Sequence, residues 1–402
     1  MKIVRLEKIY VYIITFFIVF NNIYCYNVFA EGEDKAFKAP NIDARCAVAI
    51  DSNSKVVVYE KNAYELVPMA STTKIMTALV AMKYGDLNKK LDISPKAASV
   101  RGSTVGYKKG ESILLKELLY GLMLRSGNDA AIAIAEGISG SVEEFAELMN
   151  EYASELGVIN TQFKTPHGLD SEGHYSTAYD LALVTSIAKK EPLFNEIVGS
   201  KDVDGEKNKF TRSYHNINKI LWQIPEANGV KTGYTGKAGK CLVTSVTVQK
   251  NDIIIVVLNS PRRWEETNKI YEYVNKNYKF VKLFSKDDIA AELKVSKNNL
   301  KLQCESDIIL PIKNGFKYTT KIIKPQKIGY TVKKGDKIGM LCVYENDKKI
   351  YSTALIASKD VKVRRFMHKI FGFRGNANSP EVLTNFQIPK YQAILRFRWS
   401  LL

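Results

Sequence analysis

A serine and a lysine three residues apart are the first feature of the sequence that could do covalent chemistry. Ser71 and Lys74 begin a run with helical spacing over residues 71–83, so both side chains would lie on one face of a helix. A lysine that its surroundings keep neutral can take the proton of such a serine, and the start of a helix favours negative charge that develops there. The pair predicts a serine nucleophile with a lysine base. The same spacing recurs at Ser52 and Ser186, so it is not specific by itself.

Two further motifs carry polar groups suited to a peptide substrate. Ser126 and Asn128 lie between two predicted helical turns. The Ser126 hydroxyl could relay protons, and the Asn128 amide could hold a substrate amide. The alternative for Asn128 is a helix cap. Lys231-Thr232-Gly233 occurs once, just before a β-rich run. On a strand edge these three residues suit a peptide that ends in a carboxylate, because glycine lets the ligand backbone approach closely. An ordinary Thr-Gly turn is the alternative.

The motifs must be positioned by the strands and helices of residues 41–278. Strands are predicted at both ends of this segment and helices between them. Strands are predicted at residues 46–50, 55–59, 242–248 and 253–258, and helices at residues 71–83, 116–123, 129–138, 141–156, 179–189 and 262–278. Capping boxes are predicted at Ser141 and Thr177. The pattern predicts an α+β fold in which distant parts of the chain complete one antiparallel sheet.

The order and context of the three motifs resemble the serine D-alanyl-D-alanine carboxypeptidases of peptidase family S11, which are low-molecular-weight penicillin-binding proteins. S-x-x-K, a serine–asparagine element and K-T-G are the signature of penicillin-binding proteins and class A β-lactamases. Longer segments also match the family, at residues 68–79, 124–131, 166–169, 174–178, 180–181 and 228–235. The resemblance is strong over residues 41–278 and architectural over residues 283–361. It implies a β-lactamase/transpeptidase-like catalytic domain, an antiparallel sheet with a helical subdomain, followed by a small all-β domain.

The resemblance implies a reaction on peptidoglycan stem peptides that end in D-Ala-D-Ala. Ser71 would attack the carbonyl between the two D-alanines, Lys74 would be the general base and Ser126 would relay a proton. The backbone N–H groups of Ser71 and Tyr234 would form the oxyanion hole. D-alanine would leave and water would release the acyl-enzyme, with no cofactor or metal. β-Lactams would acylate the same serine and inhibit the enzyme.

The same resemblance implies substrate-binding roles in the second and third motifs. Asn128 would hold the substrate backbone. Lys231 and Thr232 would grip the terminal carboxylate, with Gly233 beside them. Arg263 would lie near the carboxylate pocket, although an arginine also precedes it directly in the chain.

Other activities share parts of this chemistry. A β-lactamase would need fast deacylation, for which class A enzymes use a Glu-x-x-Leu-Asn element that the sequence lacks. The motifs do not separate a DD-endopeptidase or a transpeptidase from a carboxypeptidase. A non-catalytic wall-binding relative would be expected to have lost a motif, and all three are intact. A structural role is preferred for His167 and His174, because the lysine already supplies the base.

Composition and cysteine usage limit the remaining classes of function. The 402 residues carry a formal charge of +17, which suits an anionic lipid or wall polymer, and no nucleic-acid module accompanies the charge. After residue 30 the chain has Cys46, Cys241, Cys304 and Cys342, whose spacing gives no zinc pattern and leaves three full pairings open. The four histidines include no HExxH motif, so no metal is expected.

The two ends of the chain differ from the segment that carries the motifs. Residues 1–30 have a basic start, an apolar run and a small-residue site, which is the layout of a secretory signal; an uncleaved anchor is the alternative. Residues 31–40 read as a polar linker. Residues 362–402 form a basic amphipathic tail that would either suit an anionic membrane surface or be disordered. We therefore expect an exported protein of the cell wall or the outer face of the cytoplasmic membrane.

Overall fold

The computed structural model describes residues 26–29, 38–295, 298–326, 328 and 330–362. The chain forms two compact units, one within residues 31–281 and 310–315 and the other in the remaining parts of the chain. The apolar run of the predicted signal and all but the first residue of the predicted tail lie outside the described residues. Within the described part, no helix is both long enough and apolar enough to cross a bilayer.

Ten helices and seventeen strands are assigned in the described residues. The helices are α1 (Lys74–Tyr84), α2 (Pro95–Ala98), α3 (Leu115–Leu124), α4 (Asn128–Ser139), α5 (Val142–Glu155), α6 (Ala178–Ala188), α7 (Pro192–Gly199), α8 (Gly205–Asn208), α9 (Ile220–Gln223) and α10 (Arg263–Asn277), and a 3-10 turn, Ala70–Thr73, precedes α1. The strands are β1 (Tyr26–Phe29), β2 (Cys46–Asp51), β3 (Val57–Lys61), β4 (Lys90–Asp92), β5 (Ser112–Leu114), β6 (Asp202–Val203), β7 (Tyr214–His215), β8 (Ala227–Thr235), β9 (Gly239–Val248), β10 (Asn251–Leu258), β11 (Tyr278–Phe284), β12 (Ile289–Val295), β13 (Asn298–Cys304), β14 (Ile308–Lys313), β15 (Lys317–Ile323), β16 (Lys337–Glu345) and β17 (Lys348–Ala357).

A five-stranded antiparallel sheet forms the centre of the larger unit, in the order β3-β2-β10-β9-β8. Its register joins distant parts of the chain, since Cys46 in β2 lies opposite Leu258 in β10. The sheet is buried on both faces: Ile254 joins an apolar cluster with the central helices, whereas Ile255 joins a second cluster with α10. The predicted α+β fold is confirmed, and β8 is an edge strand of the sheet.

Burial and N-terminal caps fix the helices that carry the motifs. Every residue from Lys74 to Ala81 in α1 is buried, so this helix lies in the middle of the helical layer. Ser141 and Thr177 each accept a hydrogen bond from the backbone N–H three residues later, at 3.1 and 2.9 Å. Both predicted capping interactions are therefore present at the starts of α5 and α6.

Two local features differ from the sequence predictions. The helix expected from residue 71 begins at Lys74, because Ser71 lies in the 3-10 turn that starts at Ala70, whose φ is +50°. Residues 231–233 precede β9 as predicted, but they themselves lie inside a strand, β8, for which no strand was predicted. Glycine lowers the strand propensity of this segment, but antiparallel pairing with β9 imposes an extended conformation on it.

The smaller unit is all-β, as predicted for residues 283–361. It contains a six-stranded antiparallel sheet in the order β1-β15-β16-β17-β13-β12. The backbone of β1 lies within the predicted signal and pairs with β15, so removal of residues 1–30 would leave β15 as the outer strand. Strands β11 and β14, most of whose residues belong to the larger unit, form a separate two-stranded sheet.

Candidate active site

Ser71 and Lys74 meet where the 3-10 turn enters α1. The Lys74 side chain is 0% exposed, and its Nζ lies 3.0 Å from Ser71 Oγ. The same Nζ lies 2.7 Å from Asn128 Oδ1 and 2.7 Å from the carbonyl oxygen of His167. The structure thus brings the predicted nucleophile, the predicted base and the predicted substrate-binding amide together from separate parts of the chain.

The partners of Lys74 accommodate a neutral amine whose lone pair faces the serine. Two of the three partners are carbonyl oxygens, which only accept and so take two N–H bonds. The third position faces Ser71 Oγ, where a neutral amine presents its lone pair to the hydroxyl proton. Burial, reinforced by the cation of Lys231, holds the pKa of Lys74 well below its usual value, against a smaller opposing effect of Asp129. The geometry is that of a base already in contact with its proton donor.

The second motif lies at the start of α4. Ser126 is 4% exposed and has a φ of +59°, a backbone conformation that is costly for residues other than glycine and that clusters at active sites. Its hydroxyl makes no hydrogen bond to any residue that the structure describes. The Asn128 side chain does not cap the helix, because its nitrogen donates to the carbonyl of Arg101 at 2.7 Å and its oxygen accepts from Lys74.

Asp129 lies at the site, although no role was predicted for it from the sequence. Its carboxylate is 1% exposed and accepts backbone N–H bonds from Val105, Gly106 and Tyr107 at 2.8–3.2 Å. These bonds clamp the loop that also supplies the carbonyl partner of the neighbouring asparagine. An acidic residue in the first turn of a helix is ordinary, so only its burial against this loop distinguishes it.

The third motif lies on β8, directly beside the nucleophile. A Cβ placed on Gly233 would lie 3.0 Å from the Ser71 backbone nitrogen, so the absence of a side chain lets the strand pass this close. Lys231 is 1% exposed, and burial lowers its pKa to about 7. Thr232 is buried and Tyr234 is 68% exposed. Four predicted site residues therefore lie along one edge strand that borders the nucleophile.

Arg263, rather than Arg262, reaches the third motif. Its Nη1 donates to the carbonyl oxygens of Gly233 at 2.7 Å and Cys241 at 3.1 Å. Arg262 instead pairs with acidic side chains of its own helix and with Asp43. The Arg263 guanidinium thus braces β8 and β9 where the motif lies and places a second cation near Lys231.

The segment that contains His174 packs against the nucleophile turn. His174 Nδ1 accepts a hydrogen bond from the Lys164 N–H at 3.0 Å, and its Nε2 bonds Thr73 Oγ1 at 2.9 Å. Burial lowers the pKa of this imidazole to about 4, so the ring is neutral. Gly168 has a φ of +86°, and a Cβ there would lie 2.0 Å from the Ala70 carbonyl oxygen. The expected structural role agrees with these contacts.

The cysteines are not paired with one another in the described structure. Cys46, Cys241, Cys304 and Cys342 are all buried and free, so none of the three pairings left open by the sequence is formed. Over the described ranges there is also no group of three or more histidine, cysteine or acidic side chains that could hold a metal ion.

Family models and curated relatives match most of the chain. The model for peptidase S11, D-alanyl-D-alanine carboxypeptidase, matches residues 33–262, and the model for the C-terminal domain of penicillin-binding protein 5 matches residues 278–363. The chain is 34% identical to D-alanyl-D-alanine carboxypeptidase DacF from Bacillus subtilis, over 85% of this chain and 92% of the relative. It is 32% identical to DacC from Escherichia coli, over 85% of this chain and 90% of the relative.

Solved structures agree with these relatives. The structure of penicillin-binding protein 5 from Haemophilus influenzae matches with a TM-score of 0.72 and 31% identity, over 81% of this chain and 100% of that chain. The carboxypeptidase DacD from Francisella tularensis matches with a TM-score of 0.60 and 26% identity, over 83% of this chain and 98% of that chain. With the serine–lysine centre in place, these similarities show that the chain belongs to the peptidase S11 family of D-alanyl-D-alanine carboxypeptidases.

Proposed function

We propose that the protein is a serine carboxypeptidase that removes the terminal D-alanine from peptidoglycan stem pentapeptides and so trims the cell wall. The proposal rests on the contact between Lys74 Nζ and Ser71 Oγ, which lie 3.0 Å apart. Because the other two partners of the amine are fixed carbonyl oxygens, the lysine is oriented to take the serine proton. The family relationship supplies the substrate class.

In the acylation step, Ser71 Oγ forms a bond to the carbonyl carbon of the penultimate D-alanine. The proton of the hydroxyl passes to Lys74 Nζ, and the C–N bond breaks after a proton has been delivered to the leaving amine of the terminal D-alanine. That proton would come from Lys74 Nζ and be relayed by Ser126, which returns the lysine to its neutral form. The N–H groups of Ser71 and Tyr234 would stabilise the oxyanion. Water then hydrolyses the ester and regenerates the serine.

The substrate would lie along the edge strand β8. Lys231 and Thr232 would hold the terminal carboxylate, with Arg263 adding positive charge behind the strand. The Asn128 nitrogen is engaged by the Arg101 carbonyl, so contact of this amide with the substrate would require that bond to be shared or exchanged. Penicillin would acylate Ser71 by the same route, which makes β-lactams the expected inhibitors.

Export and membrane contact belong to the same proposal. The layout of residues 1–30 and the cell-wall substrate of the family support export across the cytoplasmic membrane, with cleavage of the signal before residue 31. The basic amphipathic pattern of residues 362–402 supports peripheral contact with an anionic membrane surface. Residues 41–278 would then be the catalytic domain, and residues 283–361 would separate it from the tail.

Replacement of the nucleophile tests the proposed function. Ser71→Ala should abolish both D-alanine release and covalent labelling by a fluorescent penicillin, because both need the same acyl-enzyme. Ser52→Ala is a matched control, since Ser52 also stands three residues before a lysine but its neighbour, Lys55, bonds the Ser52 carbonyl oxygen rather than the hydroxyl. The control should label normally, whereas labelling of Ser71→Ala would show that the nucleophile is another residue.

A further inference from the structure

A cavity outside the serine–lysine centre has the character of a second binding site. It has a volume of about 560 Å³ and is lined by His215, Asn216, Ile217, Lys219, Trp222 and Gln223. We call it the Trp222 cavity. None of its lining residues belongs to the three catalytic motifs.

The segment of residues 214–220, which forms part of the cavity wall, exposes every second side chain to solvent. Burial alternates along residues 214–220, so that His215, Ile217 and Lys219 face outward while the residues between them face inward. Asn216 fixes this segment, because its nitrogen donates to the Ser200 carbonyl at 2.8 Å and its oxygen accepts from the backbone N–H two residues later at 2.9 Å. The outward strip combines an imidazole, an aliphatic side chain and an ammonium group.

An exposed indole completes the strip. In helix α9, Ile220 and Leu221 are buried, but Trp222 is 47% exposed. The His215 ring lies 5.5 Å from the indole ring at an angle of 35°, and Lys201 Nζ lies 5.5 Å from the ring centroid. Asp202 pairs with His215 Nδ1 at 2.7 Å. The half-exposed indole has an ammonium group over its ring and an imidazole beside it. This combination of a flat apolar surface and hydrogen-bond donors suits the apolar face of a pyranose ring and its polar substituents.

The cavity adjoins the elements that hold the proposed substrate. The Ile217 N–H donates to the carbonyl of Leu124 at 3.1 Å, at the end of α3 and two residues before Ser126. On the other side of the cavity, helix α9 directly precedes strand β8 in the chain and contacts that strand. If the C-terminal end of a stem peptide occupies the β8 edge, the rest of the peptide must extend away from the catalytic centre on one side. The side formed by the Trp222 cavity is aromatic and cationic.

We propose that the Trp222 cavity binds the N-acetylated amino-sugar to which the stem peptide is attached, with the sugar stacked on Trp222. This inference rests on the proposed function, because it concerns the remote end of the same substrate. The enzyme would then favour stem peptides that are still attached to the glycan over free peptides. Lys219 and His215 would contact the hydroxyl, acetamido or carboxylate oxygens of the sugar.

The test compares a free pentapeptide with the same pentapeptide attached to its muramyl disaccharide. For the wild-type protein, KM should be lower for the disaccharide-linked substrate. Trp222→Ala should raise that KM about fivefold, the scale of one lost aromatic contact, while kcat and all constants for the free peptide stay unchanged. Lys219→Ala should shift the same KM in the same direction by a smaller factor. Tyr64→Ala is the matched control, since Tyr64 is 56% exposed and lies outside the cavity.

A direct binding measurement separates this inference from loss of fold and from failure of the proposed function. The muramyl disaccharide without peptide should bind the Ser71→Ala protein in saturation-transfer NMR, and adding Trp222→Gln should abolish the signal. Melting temperature and penicillin labelling of each single variant report the fold and the catalytic centre. Equal KM values of wild type and Trp222→Ala on the linked substrate, or equal losses on both substrates, would overturn the sugar site. Absence of labelling and turnover in the wild type would instead overturn the proposed function.

Discussion

Lys74 and Lys231 are two buried lysines that the proposed reaction needs in opposite charge states. In that proposal Lys74 is neutral when it accepts the serine proton, and Lys231 is charged when it holds the substrate carboxylate. Both have a pKa lowered chiefly by burial, and the charge on Lys231 lowers the pKa of Lys74 further. At the scale of single residues, the proposed mechanism thus requires a pH at which Lys74 is neutral and Lys231 still carries its proton.

We expect kcat/KM for a free-acid stem peptide to fall as pH rises above about 7. Lys231 grips the carboxylate only when protonated, and its pKa, lowered from 10.5 to about 7, places the loss of that proton in this range. Lys74 is needed neutral, so higher pH does not harm it. An amide-capped peptide has no carboxylate and should show no such fall. Because pH profiles of kcat/KM report the free enzyme, an identical alkaline fall for both peptides would contradict this role of Lys231.

At the scale of elements, the site lies where the start of helix α4, the loop held by Asp129 and the edge strand β8 come together. Asp129 anchors the loop through Val105, Gly106 and Tyr107, and the same loop holds the Asn128 amide through Arg101. The position of the amide that contacts Lys74 thus depends on a carboxylate whose loop partners are backbone N–H groups. We infer that Asp129 is a positioning residue.

Asp129→Asn should slow acylation by penicillin in protein that remains folded. One carboxylate oxygen accepts three of the loop N–H bonds, and an amide nitrogen in its place would face donors. Bonds to a charged group contribute about 1.5–3 kcal/mol each, so the loop should loosen and the melting temperature should fall. Asp180→Asn is the control, because Asp180 is a buried carboxylate that accepts from Asn160 and Thr161 instead. The control should lose stability but acylate at the wild-type rate; equal acylation rates in both variants would remove the positioning role.

Local patterns predict the elements better than they predict the contacts between them. Helical spacing and capping signals place α1, α5 and α6 because they depend on neighbours within one turn. The Asp129 clamp, the grip of Arg263 on Gly233 and the close fit of Gly168 under Ala70 join residues far apart in the chain. No periodicity encodes such pairs. The family resemblance predicts which residues gather at the site, but not the hydrogen bonds that hold them there.

At the scale of the whole molecule, the chain is divided into a catalytic unit and an all-β unit, each with its own sheet. The residues proposed to act on substrate all lie in the first unit, before residue 264. The all-β unit matches the C-terminal domain of penicillin-binding protein 5. The proposed membrane contact through residues 362–402 should therefore be separable from catalysis.

Deletion of residues 362–402 should leave hydrolysis of a soluble peptide unchanged. It should also move the protein from the pellet to the supernatant when it is mixed with sedimenting vesicles that contain anionic lipid, because a basic amphipathic segment binds such surfaces. Vesicles of neutral lipid are the control, and added salt should weaken the binding of the full-length protein. Full-length protein that ignores anionic vesicles at low salt would exclude the anchor. Loss of peptide hydrolysis on deletion would place the tail in the catalytic fold.

The register of the central sheet also determines when the catalytic centre can assemble. Strand β2 pairs with β10, which lies about 200 residues further along the chain, and pairings this distant form late because a long loop must close first. A chain that emerges from an export channel with its N-terminus in front delivers Ser71 and Lys74 well before Lys231 and the strand that carries it. In the proposed export, Ser71 would therefore cross the membrane before the sheet beside it is complete. Acyl transfer would begin only after the last strand of the catalytic unit had crossed.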